Sequence, residues 1–172
     1  EEQRPGTLNE GVAAALTDDP DSPANLVAIS IAGTYAPIVA EQAIKNGLHI
    51  LCFSDNVAID DEVRLKNLAV ANRLLFMGPD CGTAIIDGIP LGFANVVKRG
   101  RVGMVAASGT GAQEVSRLLD LAGVGVSQLI GVGGRETLEE LEQAVERHSL
   151  HLPIGIRDEQ LAGHRGIEAV VI

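Results

Sequence analysis

GRVGMVAASGTGAQEV, residues 100–115, runs from an apolar strand through Ser108-Gly109-Thr110-Gly111 directly into a helical pattern. Two glycines let the backbone turn sharply and approach a ligand closely. The unpaired N–H groups of the helix start and the positive end of its dipole then point at whatever sits there. Ser108 and Thr110 add hydroxyl donors. The stretch predicts a strand, a turn and a helix with a phosphate or carboxylate site at the turn, valine at either glycine being resisted by any positive φ the turn demands. A Ser or Thr that only caps the helix is the other reading, and it stays open here. The pattern is neither a Walker A loop nor GxGxxG, because the lysine of the first and the third glycine of the second are absent, so neither a nucleoside triphosphate nor a nicotinamide dinucleotide is expected at this turn.

The same cycle of apolar run, polar turn and helix repeats upstream. NLVAISI (25–31) leads to the helical YAPIVAEQAIKNG, which stops at Asn46-Gly47. LHILCFSDN follows, its strand ending at Ser54-Asp55-Asn56. DDEVRLKNLAVAN then supplies acidic residues at a helix start and an apolar face expected from Val63, Leu68, Val70 and Ala71, before the strand LLFMG. Strands alternating with helices of this length predict an α/β protein with doubly wound parallel sheets, whose ligands sit at the carboxyl ends of the strands. Gly33-Thr34, Ser54-Asp55-Asn56, Gly78-Pro79-Asp80-Cys81-Gly82-Thr83 and Ser108 to Gly111 each follow a predicted strand. Asp87-Gly88, between apolar runs, predicts a two-residue hairpin. Beyond it lie a strand over 101–107, a helix over 112–121, the strand VSQLIGVGG, a charged helix over 137–147, a short strand PIGI and a terminal strand in IEAVVI. Residues 1–24 read as a short helix at 8–16 and a proline-punctuated linker, TDDPDSP.

With 172 residues and 46% hydrophobic content the chain is expected to bury a core. A net charge of −10 and 2% aromatic residues, with no Trp, exclude a phosphate-backbone binder that stacks bases. Nucleic acid is therefore not an expected partner; a small anionic molecule held by local dipoles is. Cys52 and Cys81 form no CxxC pair, so neither a disulfide framework nor a zinc site is expected, and a reducing cytoplasm is the expected location. No apolar run reaches transmembrane length, and EEQRPGTLNE resembles neither a signal nor a transit peptide. The missing initiator Met and the apolar run at 167–172 are those expected of a processed chain or a piece of a longer one.

The motifs MGPDCGT (77–83), VGMVAASGTGAQE (102–114) and IGVGGRE (130–136), in this order and spacing, resemble the α subunit of succinyl-CoA synthetase and the acyl-CoA synthetase superfamily. FSDN, DEVRLKNLAV, GPDCGT, PLGFANV and ASGTG resemble segments of its FdrA branch. The resemblance covers roughly residues 25–135. It implies a CoA-binding, Rossmann-like unit at 25–100 followed by a partial flavodoxin-like ligase unit at 101–172, with residues 1–24 as helix and linker. It also implies acyl-phosphate or phosphoryl chemistry at a seam between subunits, with CoA or phosphate as cofactor. In the ligases, the turn corresponding to Ser108 through Gly111 starts a helix that stabilises a phosphorylated histidine. The FdrA branch implies carbamoyl transfer between oxalurate and phosphate, together with partner proteins. The chain departs from the ligases in three ways. The opening glycine-rich βαβ is not recognisable in residues 1–24, Gly163-His164-Arg165-Gly166 only echoes the phosphohistidine motif, and no ATP-grasp region is present.

Individual residues carry two readings each. Ser108, Gly109, Thr110 and Gly111, with Asp80, Cys81, Gly82 and Thr83 shaping the same cleft, are the expected phosphate or substrate site. Cys81 would be a thiolate nucleophile if backbone N–H groups lowered its pKa, whereas a small half-buried Cys packing a glycine-rich turn is the commoner case. Ser54, Asp55 and Asn56 are the expected CoA or nucleotide contacts, Asp55 accepting from a ribose or pantetheine group, and Asp-Asn after a strand is also ordinary turn chemistry. Arg135 would pair with a phosphate or stand solvated. His49, His148 and His151 lack metal-ligand spacing, so no metal is expected. The expected function is one component of an enzyme that transfers an acyl or carbamoyl group through a phosphorylated species, as in an oxamate carbamoyltransferase subunit. The rivals are a non-catalytic CoA- or nucleotide-binding module and a structural subunit of a larger complex.

Overall fold

A computed structural model describes residues 7–17, 23–134 and 168–171. The chain divides into two compact units, Glu1–Asp80 and Cys81–Ile172. The first holds a three-stranded parallel sheet in the order β1 (Leu26–Ile29), β2 (His49–Cys52), β3 (Phe76–Met77), with α2 (Ala36–Lys45) and α3 (Ile59–Ala71) as the two crossovers and α1 (Leu8–Thr17) packed on α2. Leu26 to Ile29 stand opposite His49 to Cys52, and Ile50 stands opposite Phe76. All four residues of β2 are buried, as a strand covered on both faces requires. Around it Ile29, Ile44, Ile50, Leu65 and Ala69 form the core, with Val12 of α1.

The apolar face of α3 agrees with the one expected only at Leu68, which packs partly buried against the core. Glu62, Leu65 and Ala69 are its buried residues, while Val63 and Val70 are 53% and 50% exposed and Ala71 is exposed. The helix is rotated so that the 62, 65, 69 stripe meets the sheet, and the Glu62 carboxylate is held by Lys66 at 2.9 Å one turn later. Both helices end in the same hydrogen-bonded pattern. After α2, Leu48 N–H reaches Ala43 O and Gly47 N–H reaches Ile44 O, each at 3.0 Å, with Gly47 at φ +76°. After α3, Leu74 N–H reaches Ala69 O and Arg73 N–H reaches Val70 O, with Arg73 at φ +58°. Glycine fits that left-handed position without cost, whereas an arginine there is strained by its β-carbon.

The second unit holds a five-stranded sheet in the order β5 (Ile89–Gly92), β4 (Thr83–Ile86), β7 (Val126–Gly131), β6 (Val102–Ala106), β8 (Glu168–Val171), with α4 (Gly109–Leu121) crossing from β6 to β7. β6 is parallel to β7 and β8, but β4 is antiparallel to both β5 and β7. This sheet is therefore mixed where a parallel one was expected. The predicted hairpin is present, with Asp87 and Gly88 at φ +52° and +78°, as a tight turn between twisted strands demands. It belongs to the second sheet, where Ile85 pairs with Leu129. The expected parallel alignment holds for the strands near Val27, Ile50 and Leu75 in the first sheet and for the strand at Val102, which is parallel to both its neighbours in the second. The terminal strand is present as β8. The expected helix at 137–147 and the strand PIGI lie outside the described residues. No helix among the described residues is long and apolar enough to cross a membrane.

Candidate functional site

In the second unit, the antiparallel course of β4 decides what meets at the carboxyl ends of β6 and β7. A strand running backwards brings its first residues to the edge where its parallel neighbours finish, so the turn that follows β3, as expected, also leads through Cys81 and Gly82 into Thr83, the first residue of β4, at that edge. The register that pairs Ile85 with Leu129 brings Thr83 beside Gly131. A β-carbon on Gly131 would collide with the Cys81 sulfur and lie 2.8 Å from Thr83 O. Cys81 is buried, and its thiol donates to Thr83 O at 3.6 Å. That is the surrounding of a packing cysteine. The role of Gly131 was missed in the sequence, although its place at the end of an apolar strand, in IGVGG, was a usable signal.

Ser108 is the N-cap of α4. It takes extended backbone angles, its Oγ accepts from Gly111 N–H at 3.1 Å, and its carbonyl accepts from Ala112 N–H at 3.0 Å. The cap bond satisfies one of the four first-turn donors; the others have no partner within a helix and project with its positive dipole end. Ser108, Gly109 and Thr110 are exposed and Thr83 is buried. Gly109 lies against Thr83, for a β-carbon there would stand 3.3 Å from Thr83 Oγ1. Neither Gly109 nor Gly111 is among the residues with positive φ, so the expected backbone sign is not what calls for glycine here, and at Gly109 the expected close approach is. Ser108 caps the helix, and the start it caps is exposed. Downstream, Gly131, Val132 and Gly133 are buried and Gly134 is exposed.

Asp80 falls in the first unit, where its N–H donates to Ser54 O at 3.0 Å and its φ is +61°. Ser54 is 4% exposed, and its Oγ accepts from Ile31 N–H at 3.0 Å, tying the loop after β1 to the loop after β2. Gly33 packs so closely on this loop that a β-carbon would collide with Asp55 O. Asp55 and Asn56 are exposed beyond it, with Ile31 and Phe53, each 43% exposed, on the same loops. His49 is a structural histidine: it is buried, its Nδ1 accepts from Leu75 N–H at 2.9 Å, and burial lowers its pKa below the ordinary value. Arg135, His148, His151 and His164 lie outside the described residues. Among the described residues no group of three His, Cys, Asp or Glu side chains is placed to hold a metal ion.

No family model matches the chain. It is 51% identical over 130 residues to Uncharacterized protein YahF of Escherichia coli (strain K12), covering 76% of this chain and 25% of that protein. It is 27% identical over 118 residues to the mitochondrial ADP-forming succinate–CoA ligase subunit alpha-2 of Trichomonas vaginalis, covering 66% of this chain and 38% of that subunit. The chain therefore spans well under half the length of either relative. Its fold is shared with ATP citrate lyase from Methanothrix soehngenii, solved in complex with citrate and coenzyme A, at a TM-score of 0.65 and 14% identity over 83% of this chain and 24% of that one.

Proposed function

We propose that this distant homologue of succinyl-CoA synthetase α subunits is one component of a CoA-ligase-like enzyme, in which the start of α4 holds the phosphoryl end of an acyl phosphate. The observation that carries the reading is the exposed, Ser108-capped helix start lying against Thr83 at the carboxyl edge of the second sheet. The reaction in question is acyl-CoA plus phosphate giving acyl phosphate plus CoA. A phosphate oxygen attacks the acyl carbon, and the C–S bond breaks to release the thiolate, which takes up a proton. First-turn N–H groups and the hydroxyl of Thr110 stabilise the phosphoryl charge through both states. In this reading Asp55 and Asn56 are the polar contacts for CoA, with Ile31 and Phe53 exposed beside them for its apolar parts, a mixture of surfaces that suits that molecule. CoA supplies the thiol. Ser54 acts behind them by holding the loop.

The FdrA-type form of the proposal replaces the acyl group by a carbamoyl group, moved from carbamoyl phosphate to oxamate with release of phosphate. In either form the chain works with other subunits, as relatives named α subunits do, and a net charge of −10 calls for cations from a partner. Calorimetric titration with phosphate and acetyl phosphate tests the site. Gly109→Val, which presses on Thr83, is expected to weaken binding about tenfold or more, about 1.4 kcal/mol. Ser108→Asp should keep the cap, and so the stability, while its charge repels the anion. Unchanged affinity in both variants would place the anion elsewhere. The pure chain is expected to be inert with acyl-CoA plus phosphate and with carbamoyl phosphate plus oxamate; substantial turnover without another protein would overturn the subunit reading.

A further inference from the structure

A second candidate site lies at the opposite edge of the second sheet, where β6 begins and α4 ends. Three of the thirteen Lys and Arg residues of the chain fall within four positions there, Lys98, Arg99 and Arg101. Their backbone is fixed from both sides. Lys98 N–H donates to Asp120 Oδ1 at 2.8 Å, and Lys98 O accepts from Val126 N–H at 2.9 Å. Gly100 is pressed onto the backbone of Val124 and Gly125 so that no β-carbon fits, and a β-carbon on Gly125 would stand 2.6 Å from Lys98 O. With position 100 turned onto 124–125, Arg99 and Arg101, on either side of it in the chain, line with Gly100, Gly123 and Val124 an open groove of about 470 Å³. Arg99 is held in an ion pair with Asp87, and its aliphatic stem lies over Gly88.

We propose that this groove binds the phosphoryl group of a phosphorylated small molecule, with the guanidinium groups of Arg99 and Arg101 as its two forked donors. A guanidinium carries five N–H donors, so each arginine can keep a protein partner by one side, as Arg99 keeps Asp87, while another side meets the ligand. The groove has the volume of a small-molecule site. Its floor, the end of α4, presents the negative end of the helix dipole, which opposes an anion held by charge alone and therefore puts the selectivity in the geometry of the forks. The site is independent of the reading of the α4 start, which lies about 20 Å away along a thirteen-residue helix.

The test is nuclear magnetic resonance titration of the isotope-labelled 172-residue chain with inorganic phosphate and with ADP at constant ionic strength. Saturable shifts are expected at the amides of Gly100, Gly123 and Val124. Equal affinity for the two probes identifies the phosphoryl group alone as the ligand, and tighter ADP binding identifies a nucleoside phosphate. Paired Arg99→Lys and Arg101→Lys, which keep the charge and remove the forks, should weaken binding about tenfold. Asp87→Asn, which removes a competing carboxylate, should keep or strengthen it, and Gly109→Val should leave it unchanged. The proposal is overturned by shifts that never saturate, by wild-type affinity in the double lysine variant, or by shifts that vanish with Gly109→Val.

Discussion

The two sheets are built from similar apolar runs, yet they bring residues to their functional edges in different ways. In the first, every strand runs the same way, and each loop that follows a strand, such as 53–56, lies at the carboxyl edge because of its place in the sequence. In the second, β4 runs against β7, and the carboxyl edge is shared by strand ends and a strand start. One reversed strand is enough to move Cys81, Gly82 and Thr83 from the end of one sheet's run to the rim of another. A turn read from local sequence is therefore a statement about chain direction as much as about shape.

That difference is most directly broken at Gly131. If β4 is clamped to β7 as described, Gly131→Ala should cost about 3 kcal/mol, since the new methyl meets the Cys81 sulfur and the Thr83 carbonyl, and the carbonyl cannot retreat without shifting the strand. Cys81→Ala in the same chain should restore part of the loss, a coupling that a double-mutant cycle by chemical denaturation reads directly. A near-neutral Gly131→Ala would mean that β4 does not lie where the register puts it.

The all-parallel sheet has its own weak point in His49. Replacing it by Leu leaves Leu75 N–H buried without its acceptor and should cost about 1–3 kcal/mol. The pH dependence carries a definite sign. Burial lowers the folded-state pKa, so the unfolded chain binds the extra proton first. The stabilisation is full above the unfolded pKa, about 6.5, and is lost as the pH falls from there through the lower folded value. His49→Leu should remove that slope from the stability profile, and an identical slope in the variant would assign it to other groups. The smallest expected effect is at the end of α3. Arg73→Gly should stabilise the first unit by about 0.5–1 kcal/mol by relieving a left-handed arginine, whereas Gly47→Ala at the matching position of α2 should cost a similar amount. Equal responses at the two ends would erase the distinction between them.

What could be read in the sequence were features that depend on a few adjacent residues. Asn46-Gly47 marks a helix end because glycine takes the left-handed position freely, and Asp87-Gly88 marks a hairpin for the same reason. Ser108 marks the start of α4 through a bond that spans three residues. Features that depend on distant pairing stayed hidden. The allegiance of the hairpin to the second sheet rests on Ile85 meeting Leu129, and Arg73 closes a helix with no glycine to announce it. The face of α3 was misread because Val63 and Val70 are apolar but lie outside the 62, 65, 69 stripe that the sheet covers. Of the candidate site, the helix start was legible. Thr83 was expected in the same cleft, whereas Gly131 was not recognised as its neighbour, because only the sheet brings those two together.

The reversed strand also sets an order of assembly. In the first unit, the His49 to Leu75 link joins positions 26 apart, whereas in the second the Asp87 to Gln128 link that helps dock the hairpin joins positions 41 apart. Longer closures lose more chain entropy before any contact rewards them, and non-local pairing slows folding. During synthesis the first sheet can close while β7 is still unmade. The rim at Thr83 and Gly109 has no wall until Gly131 arrives, so a nascent chain carries a finished first sheet and an unfinished rim.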